Sequence, residues 1–89
     1  MKTLKKISKL VKNLNSEAEI TAFFKDLLTE SEIETLSKRW RILEMLLEGK
    51  TQREIAKELQ VSLCKVTRGS RILKDKDSIF VRNLIKENK

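Results

Sequence analysis

Eighty-nine residues carry 20 Lys and Arg against 13 Asp and Glu, with one Cys, no His and no Pro, for a net charge of +7. A chain this short is read as one small domain over residues 1–89, and a hydrophobic content of 39% suits a globular fold over a disordered one. Without His, and with a lone Cys, the usual metal sets and most nucleophile–base pairs are excluded, so no catalytic residue, metal or enzyme is expected.

One Cys allows no internal disulfide, and a reducing cytoplasm is the simple reading. No apolar run reaches spanning length, and charged residues interrupt the first turns, so neither a membrane partner nor a signal peptide is expected. The absence of Pro and the presence of only Gly49 and Gly69 predict an all-α chain of five to six short helices with short connections.

In the first segment Leu4, Ile7, Val11 and Leu14 recur at helical spacing with lysines opposite, which predicts an amphipathic helix that Asn13 and Asn15 interrupt. Ser16 and Glu19 form a capping-box pattern for a second helix, with Ile20, Phe23, Phe24 and Leu27 as its buried side. Thr29 and Glu32 form another, with Leu28 and Ile33 at the spacing of a hydrophobic staple. The third helix is expected to run to about Leu47, with Gly49 placed to stop it. Its stripe of Ile33, Leu36, Trp40, Leu43 and Leu47, flanked by Ile42, Met45 and Leu46, is wider than one neighbouring hairpin needs. A second copy of the chain is the expected partner for that surplus, with Trp40 in the core or the dimer interface.

Residues 51–74 follow a different pattern. Thr51 and Glu54 box the start of a helix at residue 52, Ile55 and Leu59 lie one turn apart, and Ala56 is small enough for a close helix contact. Val61 sits in the bend and Ser62 can cap the next helix. There Leu63, Val66, Ser70 and Leu73 share one arc, and Cys64, Arg68 and Arg71 share the opposite one, flanked by Lys65, Thr67, Ile72 and Lys74. A short helix, a bend and a second helix with a basic outer face is the helix-turn-helix pattern. Gln60 stands where such bends usually carry glycine, so it is expected to take a strained backbone or to close the turn differently.

Charge follows the same division. Residues 1–14 sum to +5, residues 15–48 to −4, residues 50–76 to +5 and the remainder to +1. Basic segments set apart from an acidic middle suit a phosphate backbone, although lysine-rich surfaces also keep helical proteins soluble.

The string from Leu28 to Lys74 resembles the Trp repressor family. The resemblance rests on Leu28-Thr29, Arg39, Arg41-Ile42, Leu46-Leu47-x-Gly49, Gln52-Arg53-Glu54, Thr67-Arg68-Gly69-Ser70 and Leu73-Lys74. It implies an intertwined all-helical dimer whose helix-turn-helix units meet successive major grooves of double-stranded operator DNA. It also implies L-tryptophan as corepressor ligand, with no other cofactor. By resemblance, Arg39 and Arg68 flank the indole and meet its carboxylate, Gly69 lets the ring approach, and Leu28 and Thr29 close the pocket from the second subunit. The residues expected at DNA are Gln52, Arg53, Leu63, Cys64, Lys65, Thr67, Arg71 and Lys74, with Gln52 at a phosphate and Lys65 and Thr67 near base edges.

Three positions depart from the tryptophan-binding pattern: Lys65 replaces a small hydroxyl residue, Ile72 a serine, and Asp26 an apolar pocket residue. The Gly49–Gln52 connection is also one residue shorter than in typical tryptophan-responsive members. Three functions therefore stay open. The leading one is a dimeric repressor answering tryptophan and controlling tryptophan biosynthesis or uptake genes. The others are a relative that binds DNA without tryptophan or senses another ligand, and a basic helical protein-interaction module. Cys64 on the outer face is either a thiol sensor or simply the small residue that close groove approach demands.

Overall fold

The computed structural model describes residues 1–87, with side chains through residue 83, and shows six helices and no strand among them. They are α1 (Lys2–Lys12), α2 (Glu17–Leu27), α3 (Glu30–Leu47), α4 (Gln52–Leu59), α5 (Leu63–Lys74) and α6 (Ile79–Glu87). The chain divides into two compact units, Met1–Glu34 and Thr35–Lys89. None of the six helices, over the described residues, is long and apolar enough to cross a membrane.

In the unit Met1–Glu34, α1 ends at Asn13, whose N–H reaches back to the Leu10 carbonyl at 3.0 Å, as the interrupting asparagines predict. Ser16 Oγ accepts the Glu19 N–H and starts α2. The Thr29–Glu32 box is reciprocal: Thr29 Oγ1 accepts from the Glu32 N–H at 3.1 Å, and Glu32 Oε1 accepts from the Thr29 N–H at 2.9 Å. No side chain of this unit is fully buried. The expected buried side of α2 needs correction here, because Ile20 and Phe23 are half-buried while Phe24 and Leu27 are exposed.

In the unit Thr35–Lys89, the end of α3 is a Schellman motif. Gly49 takes φ +90°, its N–H bonds the Leu46 carbonyl at 3.1 Å, and the Lys50 N–H bonds the Met45 carbonyl at 3.2 Å. Thr51 Oγ1 then accepts from Glu54 to open α4, and Ser62 Oγ accepts from Lys65 to open α5. Between them Gln60 closes the bend with φ 55° and ψ 48°, the left-handed region, so the strained alternative is the one adopted.

The core of this unit is built from Ile42 and Met45 of α3, Ile55 of α4 and Val66 of α5, with Leu46, Ala56, Leu59 and Val61 packed around it. Burying each of the four contributes about 1.5–3 kcal/mol, and together they fix the angle of the α4–α5 pair on α3. The α3 stripe is shifted from its expected place. Ile42, Leu43 and Met45 are buried, while Leu36, Trp40 and Leu47 remain 46%, 49% and 48% exposed. Trp40 meets Phe80 of α6 in a T-shaped pair, ring centroids 4.7 Å apart, and still keeps nearly half of its surface exposed. Leu63, expected on the inner arc of α5, is exposed, and the buried glycine Gly69 takes its place beside Val66.

Candidate nucleic-acid interface and ligand cavity

Helix α5 presents two adjacent faces of functional groups. Lys65, Arg68, Gly69 and Ile72, spaced i, i+3, i+4 and i+7, share a cavity of about 250 Å³ with Arg39, Ile42 and Leu43 of α3. Cys64, Thr67, Arg68 and Arg71, at the same spacing one residue earlier, line a second, shallower concavity with Leu63. Arg68 belongs to both. Its backbone is held by the core through its neighbours Val66 and Gly69, while its long side chain is exposed between the two faces.

Gly69, one of the lining residues, sits where α5 packs closely on α3. A Cβ added there would stand 2.8 Å from Ile42 Cγ2, with Leu46 and Leu43 at 3.4 and 3.5 Å. The close approach this glycine permits is therefore helix on helix, and it brings the guanidinium groups of α3 and α5 to one opening. Arg41, two residues from Arg39, is held by Glu44 at 3.6 Å and Glu48 at 3.3 Å. Among the described residues Arg39, Lys65 and Arg68 carry no ion pair, and no carboxylate lines the cavity. Apolar walls with unneutralised guanidinium groups can hold a flat organic anion, by stacking and by bidentate hydrogen bonds.

On the outer side, Thr67 Oγ1 donates to Gln52 Oε1 at 2.9 Å, joining α5 to the first turn of α4. With its oxygen engaged, Gln52 keeps its NH₂ group as donor, the polarity that suits a phosphate. Arg53 stands exposed beside it in the first turn of α4, and Lys74 is exposed in the last turn of α5. Leu63, Cys64, Thr67 and Arg71 share the outer concavity.

Lys65 sits differently from its expected place near base edges: it lines the cavity with Arg39 and Arg68. Leu28 caps the end of α2 and Thr29 opens α3, both in the unit Met1–Glu34, where the Thr29 hydroxyl is engaged in its capping box. The Gln52–Thr67 bond and the α3 walls Ile42 and Leu43 are not evident from spacing in α5 alone, whereas the 65-68-69-72 periodicity puts Lys65 and Ile72 on the cavity face.

A short capped helix, a left-handed bend and a second helix with a basic outer face define a helix-turn-helix protein. Comparison with known proteins gives the family. The profile of the Trp repressor protein matches residues 2–88. A Trp operon repressor homolog of Chlamydia trachomatis serovar D is 39% identical over 79 residues, 88% of this chain and 84% of the relative. Proteins of the same name are 46% identical over 59 residues in Chlamydia caviae, covering 65% of this chain and 58% of the relative, and 38% identical over 68 residues in Xylella fastidiosa strain M23, covering 75% and 74%. No solved structure gives a significant match. The chain belongs to the Trp repressor family, a family of regulators rather than enzymes, and its role is that of a transcriptional repressor.

Proposed function

We propose that the protein is a dimeric, sequence-specific DNA-binding repressor that acts in the cytoplasm on a two-fold operator. In this reading L-tryptophan is its corepressor, controlling genes of tryptophan biosynthesis or uptake. The observation that carries the proposal is the position of Arg68 on both faces of α5, in the ligand cavity and in the outer concavity. A ligand that fixes this guanidinium from one side restricts what it offers to DNA on the other. The name that the relatives carry supports the same reading. So does the run of basic residues at 50–76, which favours a phosphate backbone over an acidic protein. Exposed Phe24, Leu27, Leu36, Trp40 and Leu47 supply apolar surface for a second copy. Leu28 and Thr29 would then approach the cavity from the partner subunit.

A second reading keeps the repressor and changes its signal. Lys65 and Ile72 line the cavity, and neither offers a hydroxyl to the ammonium of an amino acid. DNA binding without tryptophan, or under another ligand, follows from that chemistry. The test is selection of duplexes from a random pool, followed by titration of the selected DNA with and without L-tryptophan over a range of salt. Sequence-selective, steeply salt-dependent binding is expected. Equal retention of all duplexes, or no retention, would remove the DNA-reading proposal and leave a protein-interaction module.

A further inference from the structure

We propose that the cavity between α3 and α5 is built for an aromatic dicarboxylic acid, with Lys65 as the residue that selects the second carboxylate. This rests on the second reading above, in which the cavity takes a ligand other than tryptophan, and it names the class of that ligand. Three cations, Arg39, Lys65 and Arg68, line an opening whose other walls are Ile42, Leu43, Gly69 and Ile72. The charge is uncompensated: among the described residues none of the three is paired with an acid, and no carboxylate lines the cavity.

A zwitterionic amino acid satisfies this arrangement badly. Its carboxylate can pair with a guanidinium, but the described lining offers its ammonium apolar walls, a third cation and no acidic side chain. A flat acid without an ammonium removes that conflict. A second carboxylate on it gives the Lys65 ammonium an anion, as the first gives one to Arg39 and Arg68. Lys65 reaches the cavity because it stands one turn before Arg68 and Gly69 on the same face of α5. Its backbone N–H is committed to the Ser62 cap, so the helix start that carries it is fixed while its side chain extends freely.

The test is calorimetric titration of the full chain with two probes that differ by one carboxylate, quinoline-2-carboxylate and quinoline-2,3-dicarboxylate, alongside L-tryptophan. The dicarboxylate is expected to bind roughly five-fold tighter than the monocarboxylate at low salt, the size of one solvent-accessible ion pair, with the advantage shrinking as salt rises. Lys65→Met, which keeps the stem of an exposed side chain, should erase that advantage, so that the two quinolines bind alike. Arg39→Met should weaken both acids. Equal affinity for the two quinolines in the unaltered protein, or an advantage that survives Lys65→Met, would overturn the proposal, as would tighter binding of L-tryptophan than of either quinoline. DNA retention is measured separately on the ligand-free protein, so loss of the repressor reading and loss of this one are distinguishable.

Discussion

Thr67 donates its hydroxyl proton to Gln52 at 2.9 Å, and that bond ties the second turn of α5 to the first turn of α4. The Leu63 carbonyl lies 3.0 Å from the same hydroxyl, so one proton is shared between an intrahelical acceptor and the link across the bend. The consequence is geometric. Gln52 is held half-buried, and α4 and α5 are joined near their starts by one side-chain pair.

Thr67→Val keeps the shape and deletes the proton. A part-buried side-chain bond contributes about 0.5–1.5 kcal/mol, so denaturant unfolding should show a loss within that span. DNA affinity should fall as well, because Gln52 is freed to rotate. Unchanged stability together with unchanged DNA binding would show that the Leu63 carbonyl takes the proton instead.

Gln60→Gly acts on the bend. Gln60 holds φ 55° and ψ 48°, a region that costs a side-chain residue about 1 kcal/mol or more and glycine almost nothing. Glycine gains entropy in the unfolded chain, which offsets part of that. A net stabilisation of about 0.5 kcal/mol is expected, read as a higher denaturant midpoint at constant slope. A lower midpoint would mean that the glutamine side chain contributes more to the bend than its backbone costs.

The helix boundaries were legible because they rest on local chemistry. Ser16, Thr29, Thr51 and Ser62 each cap the helix expected of them, and Gly49 takes the positive φ that ends α3. What was not legible depends on what packs where. Leu36, Trp40 and Leu47 sit at the same helical spacing as Leu43, yet only Leu43 is buried, because α4 and α5 cover a neighbouring face of α3. For the candidate site, Arg39, Arg68 and Gly69 were named through resemblance, and they do line one cavity. Lys65, read on the outer arc of α5, also lines that cavity, since periodicity gives relative angles around a helix and tertiary packing decides which angle faces the partner.

The uncovered stripe of α3 leads to an oligomer prediction. Leu36 and Trp40 are nearly half exposed in a chain of 89 residues, beside Leu47. Sedimentation should give a dimer at low micromolar concentration, and Leu36→Lys should shift it toward monomer or unfold it. A stable, folded monomer of the unaltered chain at that concentration would remove the dimer from the proposed function.

Arg53→Ala probes the DNA side. Arg53 is exposed in the first turn of α4, next to Gln52. If it reads a base, binding to selected DNA should weaken by about 1–3 kcal/mol per half-site and specificity should relax. If it meets only phosphate, all duplexes should lose affinity alike and the salt slope should shrink by about one. No loss on any duplex would count against α4 as a DNA-facing helix.

Arg68→Ala is the most informative variant, because among the described residues this one alone lines both the cavity and the outer concavity. Its two roles differ in what they require. A phosphate contact is one of several on a basic segment that also holds Lys57, Arg71, Lys74 and Lys76, so its loss is diluted among neighbours. A ligand contact in a cavity with two guanidinium groups is not diluted, since Arg39 then remains the only arginine in the lining. L-tryptophan itself is expected to bind weakly to the unaltered protein. Ile72 gives no hydroxyl to its polar end, and a missing hydrogen bond to a charged group costs roughly 1.5–3 kcal/mol, a ten-fold weakening or more. Tryptophan should therefore raise DNA affinity only modestly, and Arg68→Ala should abolish that response while reducing binding to unrelated DNA by much less. Titration of both proteins with L-tryptophan, followed by DNA binding with and without it, checks each half. If the unaltered protein gives no heat and no change in DNA affinity at millimolar tryptophan, the signal is a different ligand or none. Helix α5 would then read DNA independently of what tryptophan does in the cavity behind it.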